Sequence, residues 1–401
     1  MIMYLRLGSF GPVPTSELNV GSEGHRPITG RIAGGGSADH RRGVGGKCVI
    51  CVYCAVKTSN NEGSPTRVAA IDAGSNAIRF VVADFEGPVS HEVVHKRREP
   101  IRLGHRVFTH GHLDDGTMDE AVRAFASFRV EMDALEVERL RAVATSATRE
   151  AANREAFLER IRTEAGFELE PISGAEEARL VHLAVRSRVD LSRGRWILVD
   201  LGGGSVEVSL VSDSGILWSE SYRIGTVRLL ETLAEARGCH DSLRTWVRRQ
   251  LSGLTIPSPD SYPGPTAFAA TGGNIEAIAR LALSYMDPLK LAILPSNRLD
   301  AVIHLLNAMS IPERIDELRL RPDRADVILP AALVYRHFAG LAHAEHIVVP
   351  SVGVKEGVLL DVAAGWQPRC SRGSVHGPPG AATPSAPGAE SPESPLRSRP
   401  G

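Results

Sequence analysis

The chain has 401 residues, 43% of them hydrophobic and 23% charged, with a formal net charge of −1 at pH 7. That length is enough for two cores of ordinary domain size. The near-neutral balance excludes a global basic field for nucleic acid or an anionic membrane, so an anionic ligand has to be held by local groups. No apolar run reaches the roughly 18 residues of a membrane span, and no basic segment followed by an apolar one marks a signal peptide. The expected location is cytoplasmic.

Residues 1–66 are Gly-, Ser- and Arg-rich ("GRIAGGGSADHRRGVGG") and are expected to form a disordered leader, for which an upstream start codon is one origin. Within it, Cys48, Cys51 and Cys54 form "CVICVYC". An iron–sulfur or zinc reading lacks a fourth ligand nearby and a His at finger spacing, so chance spacing is the reading carried here. From residue 67, strand and helix patterns alternate, which argues for an α/β body. "RVAAIDAGSNAIRFVVADF" reads as strand, turn, strand, and "MDEAVRAFASFRVEMDALEV" has helical apolar spacing. "LRAVATSATRE" reads as a strand ending in small polar residues, and "NREAFLERIRTEAG" as a helix closed by Gly166. "FELEPISG" is a strand and turn, followed by a helix, "AEEARLVHLAVRSRV", with Glu176 and Glu177 in its first turn. "WILVDLGGGSVEVSLVS" is again strand, turn, strand, and "TAFAATGGNIEAIARLAL" is strand, tight turn, helix. The Pro-, Gly- and Ser-rich stretch 367–401 is expected to be a disordered tail.

Two of these segments align. Setting "AIDAGSNAIRFVV" over "LVDLGGGSVEVSL" pairs Asp72 with Asp200, Gly74 with Gly202, Ser75 and Asn76 with Gly203 and Gly204, and Arg79 with Glu207. The repeat argues for a duplicated domain in which each half opens on a β-hairpin. A dinucleotide or P-loop motif would need a helix directly after its glycines. Here a strand follows. Val206, Val208 and Leu210 fall on one face and Ser205, Glu207 and Ser209 on the other. The glycines therefore make hairpin turns whose backbone N–H groups can form an anion nest.

Together, "AAIDAGSNAIRFVVADF", "AVATSATREAANREAFL", "ISGAEEARLVHLAV", "VDLGGGSVEVSLV" and "ATGGNIEAIA" resemble the exopolyphosphatase / guanosine pentaphosphate phosphatase family, in the family's order, from about Arg67 to Asp361. The resemblance implies two ribonuclease-H-like domains of the actin-like ATPase / sugar kinase fold, 67–178 and 179–366, flanking a cleft. It implies a short, two-domain form without the further C-terminal domain of longer relatives. It also implies hydrolysis of terminal phosphoanhydride bonds in inorganic polyphosphate, pentaphosphate guanosine or both, with Mg2+ as cofactor and a link to the stringent response.

Phosphates need donors. Gly74, Ser75 and Asn76, then Gly202, Gly203, Gly204 and Ser205, supply two facing turns, and Thr271, Gly272 and Gly273 open a helix whose N-terminus favours anions. Arg79 follows the first turn at matching parity, and Arg102 in "IRLG" resembles the family's cleft arginine. As plain sequence, the arginines also read as solvated cations and Ser75, Asn76 and Ser205 as turn formers. Glu176 and Glu177 read as helix-dipole partners, but the resemblance implies that the second glutamate of "EEA", Glu177, activates the attacking water. Glu207 is implied as catalytic or metal-associated. Asp72, Asp200 and Glu207 are the expected metal ligands, with turn-capping the plainer role for the two aspartates.

Some positions depart from the family. Ala77 stands where Ser is usual, Asn274 where a small or hydroxyl residue is common, and Ser351, Val352 and Lys355 replace Asp, Arg and Arg. Lys cannot reproduce a bidentate Arg contact. Two further readings stay open: a guanosine-phosphate or nucleotide-binding regulator with little turnover (guanosine penta- or tetraphosphate as ligand), and an ATPase or phosphotransferase of the same fold. Expected partners are the phosphate ligand alone, without nucleic acid or membrane. A homodimer is compatible with the fold.

Overall fold

A computed structural model describes residues 65–87, 90–192, 194–235, 243–257, 266–283 and 291–365. The three leader cysteines, the leader to residue 64 and the tail from 366 lie outside the described residues.

The first lobe is a sheet of β1 (Thr66–Ala73), β2 (Ile78–Phe85), β3 (His91–Glu99), β4 (Arg139–Ala144) and β5 (Glu170–Pro171), in the order β3-β2-β1-β4-β5. The second contains β6 (Arg195–Leu201), β7 (Val206–Ser212), β8 (Gly215–Tyr222), β9 (Thr266–Thr271), β10 (Ala292–Pro295) and β11 (His346–Val349), in the order β10-β11-β9-β6-β7-β8. In each, an antiparallel hairpin comes first and a third antiparallel strand flanks it, while a later strand runs parallel to the first. The duplication extends to the register: Asp72 pairs with Arg79 in one hairpin, and Asp200 with Glu207 in the other. The turns close alike, Gly74 N–H donating to Ala77 O (3.1 Å) and Gly202 N–H to Ser205 O (3.0 Å). The two lobes carry the duplication that the repeat predicts, in the ribonuclease-H-like form that the resemblance implies.

Side-chain parity sorts the strands into layers. Ala69, Ile71, Phe80 and Val82 face outward, onto Phe125, Phe128 and Phe157 of helices Asp115–Ala134 and Arg154–Glu164. Ile197, Val199, Val206 and Val208 face outward onto helices Gly273–Ala282, Ser296–Ala308 and Ile328–Leu341. Burying each such side chain is worth about 1.5–3 kcal/mol. The opposite faces turn toward each other and enclose a third apolar cluster, which includes Val68, Ala70, Val81, Leu180, Leu198, Val211 and Val358.

Two helices fill this middle layer, and each crosses over. Gly174–Arg186, which follows the first sheet, packs on β7 and β8, whereas Val354–Ala364, which follows the second, packs on β1, β2 and β4. Glu207 therefore does not look onto solvent, as a simple alternating strand would allow. Strand β7 is buried on both faces, the second beneath Gly174–Arg186. Gly174 permits that approach, since a Cβ there would lie 2.5 Å from Ser221 Cβ. No helix among the described residues is long and apolar enough to cross a membrane.

Candidate active site

The inward parity of β1, β2, β6 and β7 sends Asp72, Arg79, Asp200 and Glu207 into the middle layer, at the ends of the strands where the hairpins turn. The crossover helix Gly174–Arg186 starts at the same level. Ser173 caps it by accepting from Glu176 N–H (3.1 Å). One residue further on, Glu177 faces Asp200 and Glu207, and one carboxylate oxygen from each of the three lies within 4.8 Å of the others. All three are buried, at 3%, 7% and 2% exposure.

Three acids so close cannot all ionise at ordinary cost. Burial, then Glu207 and Asp200, push the Glu177 carboxyl well above the usual range, with Arg149 opposing. Burial and Asp200 push Glu207 up to about 7, opposed first by Ser221. Burial pushes Asp200 up, opposed by Thr271. Neutral partners orient two of the acids: Thr271 Oγ1 donates to Asp200 Oδ1 (2.5 Å) and Ser221 Oγ to Glu207 Oε1 (2.8 Å). Glu177 Oε2 and Glu207 Oε2 are buried and accept no hydrogen bond among the described residues. Hard carboxylate oxygens with spare lone pairs, brought together against their mutual repulsion, fit a divalent cation.

The expected set is thus largely brought together, with shifts. Asp72 is near but committed: Arg79 Nη1 donates to its Oδ2 (3.0 Å), leaving Glu177 as the third member of the acid cluster. Glu176 turns away into an ion network with Arg141, Arg179 and Asp361, and hydrogen bonding from Arg179 holds its carboxyl down at about 2. Arg102 does not line the cleft. Its guanidinium grips Asp326 at 2.7 and 3.0 Å and donates to Asn76 Oδ1 (2.9 Å), bracing the first turn from behind.

Above the acids opens a cleft of about 470 Å3, lined by both hairpin turns, Gly272, Gly273 and the start of helix Val354–Ala364. Arg79 and Lys355 line it, as do Lys96, Arg97 and Arg98 from β3, and Arg280, Arg321 and Arg324 from the second lobe. Sequence reading missed these last six. The run "KRR" was the available signal for the β3 group; the other three converge only through folding. Arg324 reaches the N-terminus of helix Gly273–Ala282 because residue 273 is glycine: a Cβ there would sit 2.6 Å from Arg324 Nη2. Burial, then Arg321 and Arg280, pull Arg324 down to about 10, opposed by Glu276. The first turn also touches the second lobe, with Asn76 Nδ2 donating to Asp323 O (3.0 Å).

Acids at the floor of a cation-lined cleft, under two turns of backbone donors, define an enzyme that acts on phosphoryl groups, a hydrolase of the phosphatase class. A model of the Ppx/GppA phosphatase family matches residues 81–364, and the chain belongs to that family. Exopolyphosphatase 1 of Mycobacterium tuberculosis is 29% identical over 301 residues, 73% of this chain and 87% of that protein. Exopolyphosphatase 2 of the same organism is 29% identical over 320 residues, 74% of this chain and 99% of that one. The crystal structure of the Aquifex aeolicus member of the Ppx/GppA family superposes with a TM-score of 0.61 at 27% identity, covering 74% of this chain and 97% of that one. An exopolyphosphatase from Cytophaga hutchinsonii shares the fold, with a TM-score of 0.69 at 24% identity over 75% of this chain and 99% of that one.

Proposed function

We propose that the protein is an exopolyphosphatase that releases terminal phosphate from inorganic polyphosphate. The observation that carries this reading is the cluster of Glu177, Asp200 and Glu207, of which Glu177 and Asp200 line the floor of an arginine-rich cleft and Glu207 is buried against them. Phosphate oxygens are held by the turn N–H groups and the cleft cations. Glu177 takes a proton from the attacking water as its oxygen bonds to the terminal phosphorus, and the bridging P–O bond breaks to leave a chain one phosphate shorter. Asp200 and Glu207 would hold Mg2+, which when bound offsets the charge of the phosphates.

The lining favours a phosphate chain over a nucleoside. Phe80 is the one aromatic residue among the described lining residues, and it is buried in the core, stacked on Phe128. A guanine ring would find no aromatic platform there.

The test is phosphate release by the purified full chain with Mg2+ from polyphosphate, guanosine pentaphosphate and ATP. Release from polyphosphate at the highest kcat/KM is expected. No release from any of the three would end the hydrolase reading, and binding of guanosine tetraphosphate without turnover would favour a regulator. The cation cluster carries its own prediction. Arg324→Ala should raise KM for polyphosphate about tenfold with little change in kcat, because a charge-assisted contact made before and during reaction is lost. Initial rates across substrate concentration at two ionic strengths check this, and the variant should also be the less salt-sensitive of the two.

A further inference from the structure

The turn Gly202–Ser205 is shaped from outside itself. The carbonyls of its three glycines are all held by the start of helix Thr226–Glu235. Gly202 O accepts from Thr226 N–H (3.1 Å), and Gly203 O from the N–H groups of Val227 and Arg228 (2.8 and 3.0 Å). Gly204 O accepts from a side chain, Arg228 Nε (2.7 Å). In a planar trans peptide, the C=O of one residue and the N–H of the next point in opposite directions. The N–H groups of Gly203, Gly204 and Ser205 therefore point away from that helix, and none donates to a backbone carbonyl among the described residues.

Arg228 is itself fixed by the other lobe. Its guanidinium carbon lies 4.0 Å from the centre of the Phe108 ring, and Nη2 donates to Glu150 Oε1 (2.6 Å). Arg223 Nη2 holds the other oxygen of Glu150 (2.5 Å). The cation is almost fully buried, at 9% exposure. Gly204 leaves room for this packing, since a Cβ would stand 2.2 Å from Phe108 Cζ and 2.4 Å from Ser146 Oγ.

We propose that Arg228 is a positioning residue for phosphate recognition. By holding the Gly204 carbonyl back, it keeps the Gly204–Ser205 peptide turned so that the Ser205 N–H stays aligned with those of Gly204 and of Gly203, which lines the cleft, as a donor set for the terminal phosphate. Without that bond the peptide can flip and present a carbonyl oxygen to the anion, replacing attraction with repulsion. Glu150 and Phe108 hold Arg228 in place, so the first lobe sets the donor geometry of the second lobe's turn. The proposal rests on the phosphatase reading above.

Two variants and one measurement on the unaltered protein test it. Arg228→Lys keeps a cation for Glu150 but has no Nε–H for Gly204 O and no flat group for the Phe108 ring. It should raise KM for polyphosphate about tenfold or more with kcat within about threefold, the pattern of a lost contact common to bound and reacting states. Glu150→Ala removes the acceptor that holds Arg228 on the first lobe and should raise KM in the same direction, by about threefold or more. In the wild-type protein, adding inorganic phosphate should slow amide hydrogen exchange at Gly203, Gly204 and Ser205. An unchanged KM in Arg228→Lys, a loss confined to kcat, or unslowed exchange at the three amides would each overturn the proposal. Slowed exchange in a wild-type protein that fails to hydrolyse polyphosphate would count against the exopolyphosphatase reading and leave the turn's role standing. The exchange measurement decides alone if Arg228→Lys does not fold.

Discussion

Glu177→Gln is expected to lower kcat on polyphosphate by about a thousandfold, near the middle to upper range of a positioned general base, while leaving KM nearly unchanged. The same change should stabilise the protein in chelator. Three buried carboxylates stand within 4.8 Å of one another, and glutamine keeps the shape while removing one charge. The pH dependence follows in sign. Glu207 is pushed from an ordinary 4.5 up to about 7 by burial and Asp200, and Glu177 is pushed upward by burial and Glu207. A carboxyl raised in the folded state contributes stability in full below its unfolded value and loses it as pH rises through the folded one. In chelator, stability should therefore fall as pH climbs from about 4.5 through 7. The slope should be shallower in Glu177→Gln, and Mg2+ should restore stability at the upper end. Turnover runs the other way: a base works only when ionised, so the rate should rise with pH over its acid limb. Thermal melts in chelator and Mg2+ from pH 5 to 8, with kcat across the same range, check these points. A Glu177→Gln enzyme that keeps a tenth of wild-type kcat would remove the residue from its role.

The second large effect is structural. Gly357→Ala should destabilise the protein by about 3 kcal/mol, at the upper end of ordinary overpacking. The two crossover helices touch backbone to backbone at this position. A Cβ on residue 357 would lie 2.1 Å from Leu180 O and 2.6 Å from Leu180 C, and neither is the movable end of a side chain. Forcing the helices apart displaces both of their N-terminal ends, one bearing Glu177 and the other lining the cleft at Val354 and Lys355. Activity at the permissive temperature should fall along with the midpoint in urea. A midpoint unchanged from wild type would mean that the helix contact accommodates a methyl group without strain.

The sequence was most legible where a local rule and a repeat agreed. Aligning the two hairpins matches Asp72 with Asp200 and Arg79 with Glu207, and the structure puts the matched residues at equivalent positions in the two registers. The strand-not-helix reading after Gly204 also holds, since β7 begins at Val206. Long-range partners were not legible. Arg102 looks like a ligand-binding arginine by motif, yet its Asp326 partner is far along the chain. Glu177 reads as a base, but only the crossover places it against Asp200 and Glu207 as a third carboxylate. Arg228 carries no signal in its own segment, because its two neighbours of consequence, Glu150 and the Gly204 carbonyl, belong to other stretches of chain. "TSATRE" reads as a strand end and turns out to begin helix Ser146–Glu150, which carries Arg149 toward Glu177 and Glu150 toward Arg228.

The exchange of crossover helices has a consequence for how the protein comes apart. Each sheet is roofed by a helix that follows the opposite sheet in the chain, so severing the chain in the 187–194 loop would strip both halves of their cover at once. Neither half should hold its shape alone, while the two expressed together should find each other and reconstitute activity. Despite its two lobes, the intact molecule should melt in one calorimetric step, because neither half has a native state of its own to retreat to.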